Sequence, residues 1–405
     1  MKDISRRNFI KKSALTSAGS MLIPGFLKAY EQTNLGNSIL ASEKILVVIQ
    51  LSGGNDGLNT IVPFNNDLYY ELRPQLAIDK SSTLKATDEL GFHPSMSGLK
   101  GLYDDGLLSI VNNVGYPNPD RSHFRSMDIW QTGSDAKSVW NTGWIGRYLD
   151  STCGDCGKPH AAIEIDDSLS LSLKGEQIKG MAMRNPKKLN RAIDGGHYKR
   201  IAAAYDSEEV ANHNLDYLYK TLIETVSSSE YLKEKSKIKK SRIDYPQNAL
   251  SRDLRTIAEL IGSGSDTKVY YASLSGFDTH VNQKFQHERL LSTYSESVSA
   301  FVRDLKAMGM LDQTMILTFS EFGRRVKQNA SRGTDHGTAN NLFIINGQLK
   351  TPGFVNEAPD LSKLDEGDLI HSIDFRRIYA TLLNKWLDTD DVSILKGKFE
   401  HLNFI

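Results

Sequence analysis

Two short segments of the chain pair a carboxylate with an imidazole: Gly276-Phe277-Asp278-Thr279-His280 and Gly333-Thr334-Asp335-His336-Gly337. A third, Ser320-Glu321-Phe322-Gly323-Arg324-Arg325, carries a carboxylate and two guanidinium groups, and Asp56 closes Ser52-Gly53-Gly54-Asn55-Asp56. Carboxylate oxygens mixed with imidazole nitrogens suit Zn, Mn, Fe or Mg, and no cysteine near them offers a thiolate. One D-x-H is an ordinary turn with a surface histidine. Several such groups, each beside a buried strand, point instead to a divalent-metal site.

The elements that must position these groups are legible as apolar runs. Residues 44–51 form a continuous β-branched run, as expected for a strand buried on both faces of a parallel sheet. Further strands are predicted at 107–114, 268–274, 314–319 and 342–345. The apolar spacing of residues 283–308 fits an amphipathic helix, so the third and fourth strands make a βαβ crossover. A second amphipathic helix is predicted over 375–387, and residues 186–261 read as a helical insertion. Within it the basic run 233–242 is a solvated helix face. Ligands of such sheets gather beyond the carboxyl ends of the strands, where Asp56, Asp278, His280, Glu321 and Arg324 fall.

Composition bounds the function. Among 405 residues, 49 Lys+Arg balance 49 Asp+Glu, which removes the field of a general nucleic-acid or anionic-membrane binder. Only 2 Cys occur, too few for a disulfide scaffold. Cys153 and Cys156, in Cys-Gly-Asp-Cys, have no second pair with which to make a zinc ribbon, and a short-loop disulfide is the alternative. Trp130, Trp140, Trp144 and Tyr148 read as core rather than as a ligand groove, and His93, before a helix, as a turn-fixing group. No uninterrupted apolar run is long enough for a stable membrane anchor. Residues 1–40 are read as a signal and linker: Ser5-Arg6-Arg7-Asn8-Phe9-Ile10-Lys11 and the weakly apolar stretch after it resemble a twin-arginine (Tat) signal. That resemblance implies passage through the Tat export machinery to a periplasmic or extracellular location.

Longer stretches carry a second resemblance: residues 50–64 (QLSGGNDGLNTIVPF), 91–99 (GFHPSMSGL), 121–130 (RSHFRSMDIW), 142–150 (TGWIGRYLD), 276–280 and 318–339 (TFSEFGRRVKQNASRGTDHGTA). They resemble the DUF1501 family, within the alkaline phosphatase-like superfamily. The resemblance implies one α/β/α sandwich domain over 41–405, with a large mixed, mostly parallel sheet and one or two divalent ions (Zn, Mn, Fe, Ca or Mg) at the strand ends. It makes Asp56, Asp278, His280, Glu321 and His336 the expected ligands. Glu321-Phe322 departs from the Asp-His pair common in that superfamily, which puts one of the two ion sites in doubt.

The resemblance also implies a nucleophile at a helix start after the second strand, where Ser122 stands; the plainer role there is an N-cap. His123 is a metal ligand, an acid/base or a structural histidine. Arg324 is expected to clamp an anion, with Arg121, Arg125 and Arg325 as further guanidinium groups. The expectation is an exported metal-dependent hydrolase acting on a small phosphate or sulfate ester or a sulfated or phosphorylated polymer. The alternatives are a non-catalytic member of an extracytoplasmic assembly and, less favoured, a mutase.

Overall fold

The computed structural model describes residues 44–152, 158–194, 197–203 and 213–405. The twin-arginine segment, Cys153 and Cys156 lie outside them. Residues 45–51 of β1 (Ile45–Ser52) are all buried, because both faces of the strand are covered. Ile45, Val47, Ile49 and Leu51 enter one apolar cluster, while Leu46 and Val48 enter a second on the opposite face. Strand side chains alternate in direction, so the apolar run 45–49 needs two apolar layers to receive it.

The strands around β1 are β2 (Leu108–Gly115), β3 (Ala162–Glu164), β4 (Met181–Ala182), β5 (Val269–Ser275), β6 (Thr314–Phe319), β7 (Asn340–Ile345), β8 (Gly353–Phe354) and β9 (Ile373–Asp374). They form one nine-stranded sheet in the order β8-β2-β7-β6-β1-β5-β3-β4, with β9 beside β2. All pairs are parallel except those of β7, which runs antiparallel to β2 and to β6. The sheet is therefore mixed and mostly parallel, as expected. The antiparallel course of β7 is a finding, since a short apolar run does not reveal its direction.

Two helical layers close the sandwich. On the first cluster's face lie α2 (Ser97–Asp104), α8 (Ala249–Gly262) and α9 (Gln283–Ala307); on the other lie α3 (His123–Thr132), α4 (Trp144–Thr152) and α10 (Phe375–Thr381). A short helix, α1 (Asp67–Leu72), precedes Arg73. The helical middle segment contains α5 (Pro186–Asp194), α6 (His197–Ala203) and α7 (His213–Ile238) before α8. The predicted helix over 375–387 is α-helical only to Thr381 and continues as a π-helical turn, Leu382–Trp386. Trp130, Trp144 and Tyr148 are buried in the second cluster, so they are core as read, whereas Trp140 is half-buried, with Arg147 and Lys396 over its ring, and lies outside that cluster.

The register brings the chemistry together. Ser52 pairs with Ser275, and Gln50 with Phe319, so β1, β5 and β6 end at one edge of the sheet. Because β7 runs the other way, its start, opposite Val114 of β2, lies at that same edge. Segments 53–57, 116–123, 276–280, 320–325 and 333–339 all emerge there.

Candidate metal centre

Two glycines permit the close approach of these loops. Gly53 has φ +118°, and a Cβ on it would sit 2.5 Å from the backbone N of Asp278. At Gly333 a Cβ would lie 2.2 Å from the carbonyl carbon of His280. Any side chain at either position would push the ligand-bearing loops apart.

At their meeting point stands Asp278. Its Oδ1 lies 3.0 Å from His280 Nε2, 3.1 Å from His336 Nε2 and 3.4 Å from His123 Nε2. His280 Nε2 and His336 Nε2 are themselves 2.9 Å apart. One donor atom each from His123, Asp278 and His336 fall within 4.8 Å of one another. The other nitrogen of each ring meets an acceptor. His123 Nδ1 is 2.9 Å from Glu321 Oε1, His280 Nδ1 3.2 Å from Asp335 Oδ1, and His336 Nδ1 2.7 Å from the Arg121 carbonyl. An acceptor there keeps the proton of a neutral imidazole on Nδ1 and leaves Nε2 a bare lone pair. Three such lone pairs and a carboxylate oxygen then face one another.

That arrangement repels itself unless a cation or a proton intervenes. His123 Nε2 is buried and has no hydrogen-bond partner. An ion bound tetrahedrally at ~2.0–2.1 Å keeps its ligands about 3.3 Å apart, close to the spacing seen here. Outer-shell acceptors on every ligating imidazole are also what metal sites require. The residues present therefore fit a divalent ion.

Electrostatics distinguish the members of the group, favouring the carboxylate at Asp278, the neutral ring at His336 and, in the absence of an ion, the protonated ring at His123. Burial alone would raise the Asp278 carboxyl, but the Arg324 guanidinium and His336 hold it well below the usual range. Its hydrogen bond to Glu321 raises His123, whereas burial lowers His336.

The expected site residues divide into those brought together and those kept apart. Asp278, His280 and His336 meet, and His123 joins them as a nitrogen donor. Glu321, wholly buried, stands behind His123 as its acceptor and also receives the Gly53 N–H at 2.8 Å. Phe322 places its ring centroid 4.8 Å from His123 and 4.7 Å from His336, an apolar wall beside both imidazoles. Asp56 is a correction. Its oxygens lie 2.9 and 2.7 Å from Arg73 Nη1 in a buried ion pair, so it is not one of the converging ligands.

Arg324 is a second correction. Buried, it donates to the carbonyls of Gly53, Gly54 (2.7 Å), Phe277 (2.9 Å) and Thr334 (2.9 Å), and to Asp278 Oδ1 at 2.8 Å. It holds the loops and the Asp278 carboxylate rather than an anion. Arg121 is taken by Asp368 and Arg125 by the carbonyls of Asp135, Ala136 and Ser138. Ser122 is the exposed N-cap of α3; its side chain makes no capping bond, and its N–H donates to Asp120 Oδ1 at 2.7 Å. His93 accepts from the Ser95 N–H at 3.1 Å, the turn-fixing role read for it. Asp335 stands behind His280 and Arg73 beside Asp56, roles that no local motif in the sequence signals.

A family model described as "Protein of unknown function (DUF1501)" matches residues 43–392. The chain belongs to the DUF1501 family. No curated protein matches it. Among solved structures, this DUF1501 chain is similar to a phosphonate monoester hydrolase from Silicibacter pomeroyi (9% identity, 88% of this chain and 76% of that one, TM-score 0.40). It is similar to a sulfatase from Pseudoalteromonas sp. (10% identity, 94% and 75%, TM-score 0.39). It is also similar to the C-terminal periplasmic domain of EcEptC from Escherichia coli in complex with Zn (10% identity, 76% and 74%, TM-score 0.38). Likenesses this faint say nothing about residues or chemistry. Among the described residues, no helix is long and apolar enough to cross a membrane.

Proposed function

We propose that this DUF1501 chain is an exported metal-dependent hydrolase of phosphate or sulfate esters, with one divalent ion held by His123, Asp278, His280 and His336. The observation that carries the reading is the set of Nε2 lone pairs converging on Asp278 Oδ1, with each Nδ1 occupied from behind. A bound ion supplies Lewis-acid stabilisation of charge on the ester oxygens. The chain does the rest. Glu321 and Asp335 orient His123 and His280, Arg324 fixes Asp278, and the first N–H groups of α3 face an incoming anion. Ser122 Oγ, uncommitted to capping, attacks phosphorus or sulfur in line. Its proton passes to solvent, the alkoxide leaves opposite and takes a proton from solvent to become the alcohol, and water then cleaves the seryl ester, releasing phosphate or sulfate and restoring the hydroxyl. The N-terminal twin-arginine resemblance supports export by the Tat route.

The test is elemental analysis of the purified protein beside Asp278→Ala and His336→Ala, followed by turnover of aryl phosphate and aryl sulfate. About one equivalent of Zn, Mn, Fe, Ca or Mg, lost in both variants, is expected. No stoichiometric metal, even after loading, overturns the reading. The non-catalytic alternative has one observation of its own: Arg121, Arg125 and Arg324 spend their guanidinium groups on the protein itself. Full metal content without turnover of either ester would favour it.

A further inference from the structure

The buried ion pair that removes Asp56 from the cluster is connected to it by another route. Gln283, the first residue of α9, is fully buried and donates its Nε2 to Asp56 Oδ2. Its Oε1 accepts from Thr334 Oγ1 at 2.6 Å and from Thr279 Oγ1 at 3.1 Å. Thr279 lies between Asp278 and His280, and Thr334 lies two residues before His336. The two threonines also meet directly, the Thr334 N–H donating to the Thr279 carbonyl at 3.3 Å.

Polarity fixes the direction of this chain of bonds. A carboxylate only accepts, so it selects the amino end of the Gln283 amide and turns the oxygen toward the hydroxyls, which donate. Arg73 anchors the other side. Besides Asp56 it donates to the carbonyls of Val326 (2.7 Å) and Arg325 (2.8 Å), in the segment that follows Glu321. A wholly buried pair is weak evidence for stability, because desolvation offsets the attraction, so its placement calls for another explanation.

Resting on the metal-centre reading above, we propose that Arg73, Asp56 and Gln283 are positioning residues that set the distance between the Asp278–His280 loop and the His336 loop. They do so through the hydroxyls of Thr279 and Thr334. They touch no substrate and no ion. Their effect is on how tightly, and in what geometry, the four ligands hold one.

The discriminating pair is Thr334→Val, which keeps the shape and removes the hydroxyl, and Thr334→Ser, which keeps the hydroxyl. Zn affinity is read by competition with a chromophoric chelator, and ligand geometry by the visible spectrum of the Co-loaded protein. Unfolding of the metal-free protein is followed alongside. Thr334→Val and Gln283→Leu should weaken Zn binding about ten- to a hundredfold and alter the Co spectrum. Thr334→Ser should restore both. Equal loss in the Val and Ser variants overturns the proposal, as does wild-type affinity and spectrum in Thr334→Val. If Gln283→Leu does not fold, the threonine pair decides alone. Should the wild type bind neither Zn nor Co, the metal-centre reading fails first, an outcome distinct from failure of the relay.

Discussion

Asp56 and Asp278 each follow a buried strand of the same sheet, each meets an arginine, and they end in opposite states. Asp56 is 1% exposed and its partners are Arg73 and Gln283. Asp278 is 49% exposed and shares its Oδ1 among Arg324 and three imidazoles. For both, burial pushes the carboxyl up and the arginine brings it below the usual range. What separates them is what remains unsatisfied. Around Asp56 each donor has its acceptor; around Asp278 three imidazole nitrogens converge on one carboxylate oxygen, the group proposed to hold an ion. The first arrangement builds the scaffold, and the second is where chemistry has room.

The contrast is easiest to break at its extremes. Asp278→Ala should abolish stoichiometric metal binding and cost the metal-free protein about 1–3 kcal/mol, because the buried Arg324 guanidinium loses its carboxylate partner but keeps its carbonyl acceptors. Urea unfolding beside elemental analysis reads both. Arg73→Met should act foremost on stability, costing about 3–5 kcal/mol because it strands the buried Asp56 charge. A loss below about 1 kcal/mol would mean that Asp56 is not sealed as described. Glu321→Gln keeps an acceptor for the Gly53 N–H but weakens the hold on His123. Metal affinity should fall roughly tenfold or more, with folding intact.

The smallest expected effect is a slope. His287, buried with its Nε2 3.0 Å from Asn55 Oδ1, is brought down to about 3 by burial. Its folded value lies below its unfolded one, so the unfolded chain binds the extra proton first. Its contribution to stability is complete above the unfolded value of 6.5 and is lost as pH falls from there toward 3. Comparing unfolding free energies of wild type and His287→Gln from pH 6 to pH 4 should show the variant flatter by about 1.4 kcal/mol per pH unit. Parallel slopes would place this histidine's protonation elsewhere.

The five longer strands of the sheet were legible because they are rich in apolar and β-branched residues, whereas β3, β4, β8 and β9, two or three residues each, were not; the D-x-H and D-H segments were legible because they follow or precede the longer strands. Asp56 was not, since its fate depends on Arg73, which lies 17 residues on in a segment without periodic signal. Glu321 was assigned to the ion directly, because sequence shows a carboxylate at a strand end but not the imidazole standing in front of it. His123 was left among several roles for the same reason: only the direction of α3 decides which way its ring points. The guanidinium groups misled most. An arginine near a site looks the same in sequence whether its donors face a ligand or the protein's own carbonyls.

Arg324 has a consequence for the order in which this molecule is made. Its acceptors come from the ends of β1 and β5 and from the approach to β7, so its donors are satisfied only once those segments have arrived. A guanidinium enclosed earlier, with carbonyls missing, would carry the full cost of leaving water. The proposed ion pocket is thus complete only once those segments have come together. Metal uptake during refolding would then act as a clock, starting when the final central strand is in place.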